Sequence, residues 1–231
     1  PVLSFAIRHY SCVAGVMITA SQNPSEYNGY KAYWEDGAQI TSPHDTNIIK
    51  EVEKITDISQ VKFSGPLSEI HLVGRELDEA YLKSILSLTL SEEMVKRHSD
   101  IKIVYTPLHG TGVKIVPRAL REAGFRNIVT IPEQDVSDGN FPTVKSPNPE
   151  ESSALKMALE MAEKTRADLV MATDPDADRI GIAVRDKRGE MILLNGNQMA
   201  SILSYYILER WRDTGKLKEG DNPDFYMVKT I

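Results

Sequence analysis

Two short polar stretches, each at the end of an apolar run, hold the residues best suited to chemistry. The first is Thr19-Ala20-Ser21-Gln22-Asn23-Pro24, which follows the apolar run Val13–Ile18. A β-prone run of this length that breaks off into Ser, Asn and Pro predicts a buried strand feeding a loop. Strand-end loops are common places for functional side chains, so Ser21 is a candidate hydroxyl. Pro24 fixes its own φ and pushes Asn23 towards extended backbone, which stiffens the loop just after the serine. Asn28-Gly29 is a two-residue hairpin signal. It predicts that Tyr30–Trp34 folds back as a second strand and brings Lys31 near Ser21. Taken alone, Ser21 is more simply a loop hydroxyl bonded to its own backbone, because no G-x-S-x-G elbow surrounds it.

The second stretch is Thr173-Asp174-Pro175-Asp176-Ala177-Asp178-Arg179, between the apolar runs Leu169–Ala172 and Ile180–Val184. Three carboxylates at alternate positions of an extended loop can face one side. Like charges that close repel one another, and a hard divalent cation with oxygen ligands relieves them. A solvated acidic turn is the plainer alternative, and the apolar strands on both sides weaken it. An EF-hand is excluded by residue type. With Asp174 as the first loop position, Arg179 stands where the turn glycine belongs and Arg185 where the closing glutamate belongs. A phosphatase with an Asp nucleophile needs a threonine at the place of Asp178.

Taken together, Thr19-Ala20-Ser21-x-Asn23-Pro24, Asn28-Gly29-Tyr30-Lys31 and Asp174-Pro175-Asp176-x-Asp178-Arg179 resemble the α-D-phosphohexomutases. That family comprises phosphoglucomutases, phosphomannomutases and related phosphopentomutases. The wording Glu35-Asp36-Gly37-Ala38-Gln39 is closest to the phosphoglucomutase/phosphopentomutase branch. The resemblance runs from Pro1 to about Asn195. It implies four domains around a central cleft, a phosphorylated serine, and an aspartate loop that holds Mg2+ against the phosphoryl group. On that implication Ser21 is the phosphoserine and supplies a phosphoryl oxygen to Mg2+, and Asp174, Asp176 and Asp178 are the other metal ligands. Arg179 faces phosphate, Lys31 assists proton transfer, and Gln22 and Asn23 lie on the phosphate-binding side.

The implied enzyme is an intramolecular phosphotransferase, an isomerase of carbohydrate metabolism. It moves a phosphoryl group between C1 and C6 (or C5) of a sugar phosphate through a bisphosphate intermediate. Its cofactors are Mg2+ and a sugar bisphosphate, such as glucose 1,6-bisphosphate, as activator. The family usually has His directly after the serine, and here the residue is Gln22. Glutamine donates and accepts hydrogen bonds but does not titrate. Gln22 therefore keeps open a second class of function, a phosphosugar-binding or regulatory homologue without turnover.

Composition narrows the partners. The 231 residues are 41% hydrophobic and 26% charged, as in ordinary globular proteins, with a net charge of −6. There is no basic excess for nucleic acid. No apolar run approaches the ~20 residues of a membrane span. A single cysteine, Cys12, excludes an internal disulfide and fits a reducing compartment, so a cytoplasmic location is expected. Cys12 itself reads as a small buried hydrophobe.

The elements that must carry these loops alternate. A helix over residues 1–11 precedes the Val13 strand, and a helix from His44 carries an expected core stripe of Ile48, Ile49, Val52, Ile55 and Ile58. Residues 60–74 read as a boundary loop. A helix over Glu76–Leu90, with Leu77, Tyr81, Ile85 and Leu88 on one side, comes next, and Ser91 can cap a short helix. From Ile101 the order is strand (Ile101–Tyr105), helix (Val113–Ala123), strand (Ile128–Ile131), helix (Ser152–Lys164) and the Leu169 strand. This alternation predicts an α/β fold with mixed, mainly parallel sheets covered by helices, and with ligand loops at the carboxyl ends of strands. His109, in the glycine-bearing loop Thr106–Gly112, is expected to be structural, since neither phosphate-loop pattern is present. The loop Asp135–Pro149 reads as a packed surface excursion. After a hairpin at Arg185–Glu190, Met191–Leu194 returns as a strand. A helix over Asn197–Trp211 has Met199, Ile202, Leu203, Tyr206 and Ile207 on its apolar face, and Phe225–Val228 reads as a further strand. The expected domains are 1–74 (the C-terminal part of domain 1), 75–190 (domain 2) and 191–231 (the start of domain 3). The chain accordingly reads as a fragment without mutase turnover of its own.

Overall fold

The structure is a computed structural model and describes residues 1–218, Gly220 and Val228. It divides into two compact units, one of residues Pro1–Ala20 and Tyr27–Ser84, the other of Ser21–Glu26 and Ile85–Ile231.

In the first unit, helix α1 (Val2–His9) buries Ile7. Strand β1 (Ala14–Ile18) packs close to this helix, because a Cβ on Gly15 would stand 2.5 Å from the Ile7 side chain. Strand β2 (Tyr30–Trp34) pairs antiparallel with β1, Ile18 opposite Tyr30 and Ala14 opposite Trp34. The return of this strand is as expected, but the turn is not. The connection spans residues 19–29, and neither Asn28 nor Gly29 has the positive φ that a type I′ turn needs. Asn28 instead accepts a hydrogen bond from the Gly29 amide at 2.8 Å, and the Thr19 amide donates to the Gly29 carbonyl at 3.0 Å.

Two burial expectations fail in this unit. Strand β1 alternates exposed and half-buried residues, with Val16 and Ile18 on the exposed face, so it is not a buried strand. A two-stranded ribbon covers only one side of itself. Helix α2 (His44–Glu53) has no buried residue, and Ile49, Val52, Ile55 and Ile58 are all exposed. Helical spacing aligned those side chains, but no described element packs over the stripe. Helix α3 (Arg75–Leu86) is shorter than expected and buries Leu77 and Leu82, while Leu88 lies beyond it and is exposed. Tyr81 on α3 meets Phe5 edge to face at 5.4 Å between ring centres.

The second unit starts with a short helix, α4 (Glu92–Arg97). It continues with β3 (Lys102–Thr106), α5 (Gly112–Ala123), β4 (Asn127–Thr130), α6 (Lys156–Thr165), β5 (Leu169–Thr173), β6 (Ile180–Arg185), β7 (Met191–Leu194) and α7 (Gly196–Asp213). The five strands form one mixed sheet in the order β4-β3-β5-β6-β7. The first three run parallel, and β6 and β7 are antiparallel additions. Strand β3 is apolar and almost fully buried, as a central parallel strand must be. Val104, Val170 and Ala183 from the sheet pack with Ala158 and Ala162 of α6, small residues that let helix and sheet approach. A second cluster, Leu108, Ala154, Leu155 and Ala172, lies under the loop ends of β3 and β5.

Helix α6 starts at Lys156 rather than Ser152, because the amides of Ala154 and Leu155 both turn back to the Glu151 carbonyl. Ser91 stands at the N-terminus of α4 but makes no capping bond, and its hydroxyl accepts from Tyr206 at 2.8 Å instead. Helix α7 opens with a capping box between Asn195 and Gln198, yet none of its residues is buried, so its expected apolar face is not core. The strand expected at Phe225–Val228 falls, apart from Val228, outside the described residues. No described helix is long and apolar enough to cross a membrane.

Candidate functional site

The site is built at strand ends within the second unit. Strand β5 ends at Thr173, and the residues that join it to β6 turn back tightly, with the Ala177 amide donating to the Asp174 carbonyl at 2.9 Å. Ala177 takes a left-handed φ of 55° in that turn. The Asp178 and Arg179 amides both donate to Asp174 Oδ1, at 3.2 and 3.1 Å. Asp174 is thereby pinned by its own loop, and one oxygen from each carboxylate of Asp174, Asp176 and Asp178 lies within 4.8 Å of the other two. Asp174 and Asp176 are buried and Asp178 is exposed.

Ser21 faces this cluster. Its Oγ donates towards Asp176 Oδ1 at 3.1 Å and Asp174 Oδ2 at 3.3 Å, and Arg179 Nη2 approaches the same Oγ at 3.4 Å. Ser21 has a left-handed φ of 55°, uncommon for a residue with a side chain and of the kind that clusters at functional sites. The neighbouring backbone is held from the other side. Ser146 Oγ donates to the Gln22 carbonyl at 3.3 Å, and Ser146 also reaches Glu151, which accepts from Asn148. Asn23 is exposed on the same loop.

The electrostatics are those of an under-compensated acidic site. Burial pushes the Asp174 carboxyl up to about 7, reinforced by the hydrogen bond and the negative charge of Asp176. Arg179 is the nearby cation, with Nε 3.7 Å from Asp178 and 3.9 Å from Asp174. Two buried carboxylates and a third beside them offer hard oxygen donors within 4.8 Å of one another, a donor set that could hold a hard divalent cation.

The structure thus brings together Ser21, Asp174, Asp176, Asp178 and Arg179. Lys31 lies in the first unit, on β2 opposite Met17, and lines a groove with Gln39, Ile40, Asp45 and Ile48. His109, expected to be bonded within its own loop, is held instead by the connection that follows β4. It is 2% exposed, and its ring nitrogens meet the Val136 carbonyl at 3.2 Å and Thr143 Oγ1 at 2.8 Å. Reading the sequence alone missed Gly110, Thr111 and Ser146, which touch the two functional loops. Their only sequence signal was glycine, threonine and serine inside loops, and that signal does not say what a loop touches.

Two profiles of one family match this chain. The one described as "Phosphoglucomutase/phosphomannomutase, alpha/beta/alpha domain I" matches residues 1–59, and that of "alpha/beta/alpha domain II" matches 79–189. The chain belongs to the phosphoglucomutase/phosphomannomutase family. The glucose 1,6-bisphosphate synthase of Homo sapiens is 37% identical over 235 residues, covering 100% of this chain and 38% of that protein. A phosphoglucomutase of Staphylococcus aureus is 39% identical over 215 residues, covering 91% of this chain and 38% of that one. The chain therefore spans 38% of the length of these curated relatives. Among solved structures, a putative phosphomannomutase of Thermus thermophilus superposes with a TM-score of 0.69 at 25% identity, over 91% of this chain and 44% of that chain. The expected mixed α/β fold is thus the fold of the phosphohexomutase-type domains.

Proposed function

We propose that the protein is a phosphosugar mutase in which Ser21 carries the phosphoryl group and Asp174, Asp176 and Asp178 hold Mg2+. One observation carries this reading: Ser21 Oγ lies at 3.1 and 3.3 Å from two carboxylates of a converging triad, with Arg179 beside it. Asp174, Asp176 and Asp178 would hold the cation, which would supply positive charge to offset the negative charge developing on the leaving oxygen. Phosphoryl transfer is chiefly a matter of positioning and charge, and the chain's own residues provide both. A sugar hydroxyl attacks the phosphorus of phospho-Ser21, the P–Oγ bond breaks, and Oγ takes the leaving electron pair. Arg179 binds the phosphoryl oxygens and compensates their charge. Lys31 is assigned the proton of the incoming hydroxyl through the family motif Asn28-Gly29-Tyr30-Lys31. The sugar bisphosphate that results returns its other phosphoryl group to Ser21, so the net change is C1 to C6 (or C5). The domains at 1–74, 75–190 and 191–231 belong to this proposal.

A second reading shares the phosphoserine. In a relative named glucose 1,6-bisphosphate synthase, and 37% identical, the name makes the bisphosphate the product. The experiment is intact mass of the phosphatase-treated, full-length protein after incubation with glucose 1,6-bisphosphate and Mg2+, followed by product analysis on a panel of sugar 1-phosphates. A single phosphate on Ser21 and an isomerised monophosphate are expected. Accumulation of bisphosphate favours the synthase reading. Absence of any adduct on folded protein overturns both and favours a phosphosugar-binding homologue, for which Gln22 is the motive.

A further inference from the structure

We propose that Gly110 and Thr111 are positioning residues that set the convergence of Asp174 and Asp176, an inference that rests on reading those aspartates as a cation site. Pro175 stands between the two carboxylates. Its ring locks φ, so its ψ is the soft dihedral that decides where the next residue goes, and the direction of the Pro175 carbonyl reports that ψ. Thr111 grips this carbonyl twice. The Thr111 amide donates to it at 2.8 Å and the Thr111 hydroxyl at 2.9 Å, so both carbonyl lone pairs are filled. Gly110 closes the clamp from the side. A Cβ there would stand 2.4 Å from Pro175 Cα and 2.8 Å from Pro175 O, so any side chain pushes the aspartate loop away.

The clamp has a rigid mount. Leu108 and His109, with φ of 47° and 63°, are consecutive left-handed residues, a backbone conformation that residues with side chains disfavour. They persist because their surroundings over-determine them. Leu108 is buried in a core cluster, and the His109 amide donates to the Gln134 carbonyl at 3.2 Å. The Gln134 side chain is in turn bonded to Thr106 at 2.7 Å and Thr143 at 2.9 Å, and Thr143 meets the His109 ring. A strained turn tied down on both sides transmits a fixed position to the two residues that follow it. In this reading the buried His109 serves as the mount of the clamp and the glycine as its contact face.

The test uses the full chain with Mn2+ as a probe cation, and two readouts. The first is Mn2+ affinity by electron paramagnetic resonance. The second is amide hydrogen exchange at Asp178 and Arg179, whose bonds to Asp174 do not need the cation. Thr111→Val should weaken Mn2+ binding about three- to tenfold, the worth of one neutral hydrogen bond, and raise exchange at both amides while Val104 stays protected. Thr111→Ser, which keeps the hydroxyl, should restore both readouts. Gly110→Ala should exceed Thr111→Val in both. If the parent binds no Mn2+, the cation-site reading falls and exchange alone decides the clamp. Thr111→Val exchange equal to the parent's overturns the proposal, as does a Thr111→Ser protein no better than Thr111→Val.

Discussion

The two units use the same kind of apolar strand to different ends. In the second unit β3 and β5 are enclosed in a five-stranded sheet, and the polar residues at their ends are held by hydrogen bonds to loops packed beside them. In the first unit β1 and β2 form a two-stranded ribbon whose outer face, with Val16, Ile18 and Trp34, is exposed. The difference teaches that an apolar strand is no guarantee of a core. What makes one is a covering layer on each face, and that layer is also what lets a loop at the strand end hold buried carboxylates together.

Chemistry should give the largest contrast. Ser21→Ala is expected to abolish phosphoenzyme formation, with turnover of the full-length protein down at least about a thousandfold, as befits loss of a covalent carrier. Asp176→Asn should reduce Mg2+ affinity and turnover together, measured by calorimetric titration and a coupled assay. Unchanged Mg2+ affinity would remove Asp176 from the ligand set.

Packing comes next. Leu155→Ala, deep in the second unit, should lose about 2–5 kcal/mol in denaturant melts because its cavity cannot refill. A loss below about 1 kcal/mol would show that this core is looser than its burial implies.

Gln22 lies between chemistry and packing. Its carbonyl accepts from Ser146 Oγ at 3.3 Å, and under the proposed function its side chain would orient phosphate. Gln22→Ala should cost about ten- to a hundredfold in turnover, the worth of one aligned donor. Gln22→His should leave the pH profile nearly unchanged, because glutamine has no proton to lose near neutrality. A large gain with a new limb near pH ~6.5, the ordinary histidine range, points instead to a parent without a catalytic group.

The smallest effect is expected on the open ribbon. Val16→Thr in the isolated chain should change stability by no more than about 0.5 kcal/mol, because the side chain is already in water. A cost like that of Leu155→Ala would erase the contrast between the units.

Some of this was legible in the sequence for a definite reason. Ser21 and the Asp174–Asp178 alternation are local patterns, and the runs on either side are long enough to predict the strands that present them. Strand and helix order in the second unit followed from the same periodicity, because its strands and helices are strongly patterned even where, as between β4 and α6, a long loop separates them. Burial did not follow. The stripe from Ile48 to Ile58 and the face of α7 have helical spacing but no described layer above them, and spacing cannot report what is absent across space. The turn at Asn28-Gly29 failed because pairing of β1 with β2 sets the register, and the turn residues only have to reach.

What the sequence determined by itself was chemistry carried by neighbours in the chain: a serine in a stiffened loop, three alternating carboxylates and an arginine beside them. The tertiary structure alone decided that Ser21 meets Asp174 and Asp176, positions 153 and 155 residues away. It also decided that Thr111 grips Pro175 and that Gly181 must be glycine, since a Cβ there would lie 1.9 Å from the Pro149 carbonyl. The physical reason is range. Periodicity and turn chemistry act over a few residues, whereas these contacts exist only after the sheet has closed and excluded water from between segments that the chain keeps far apart.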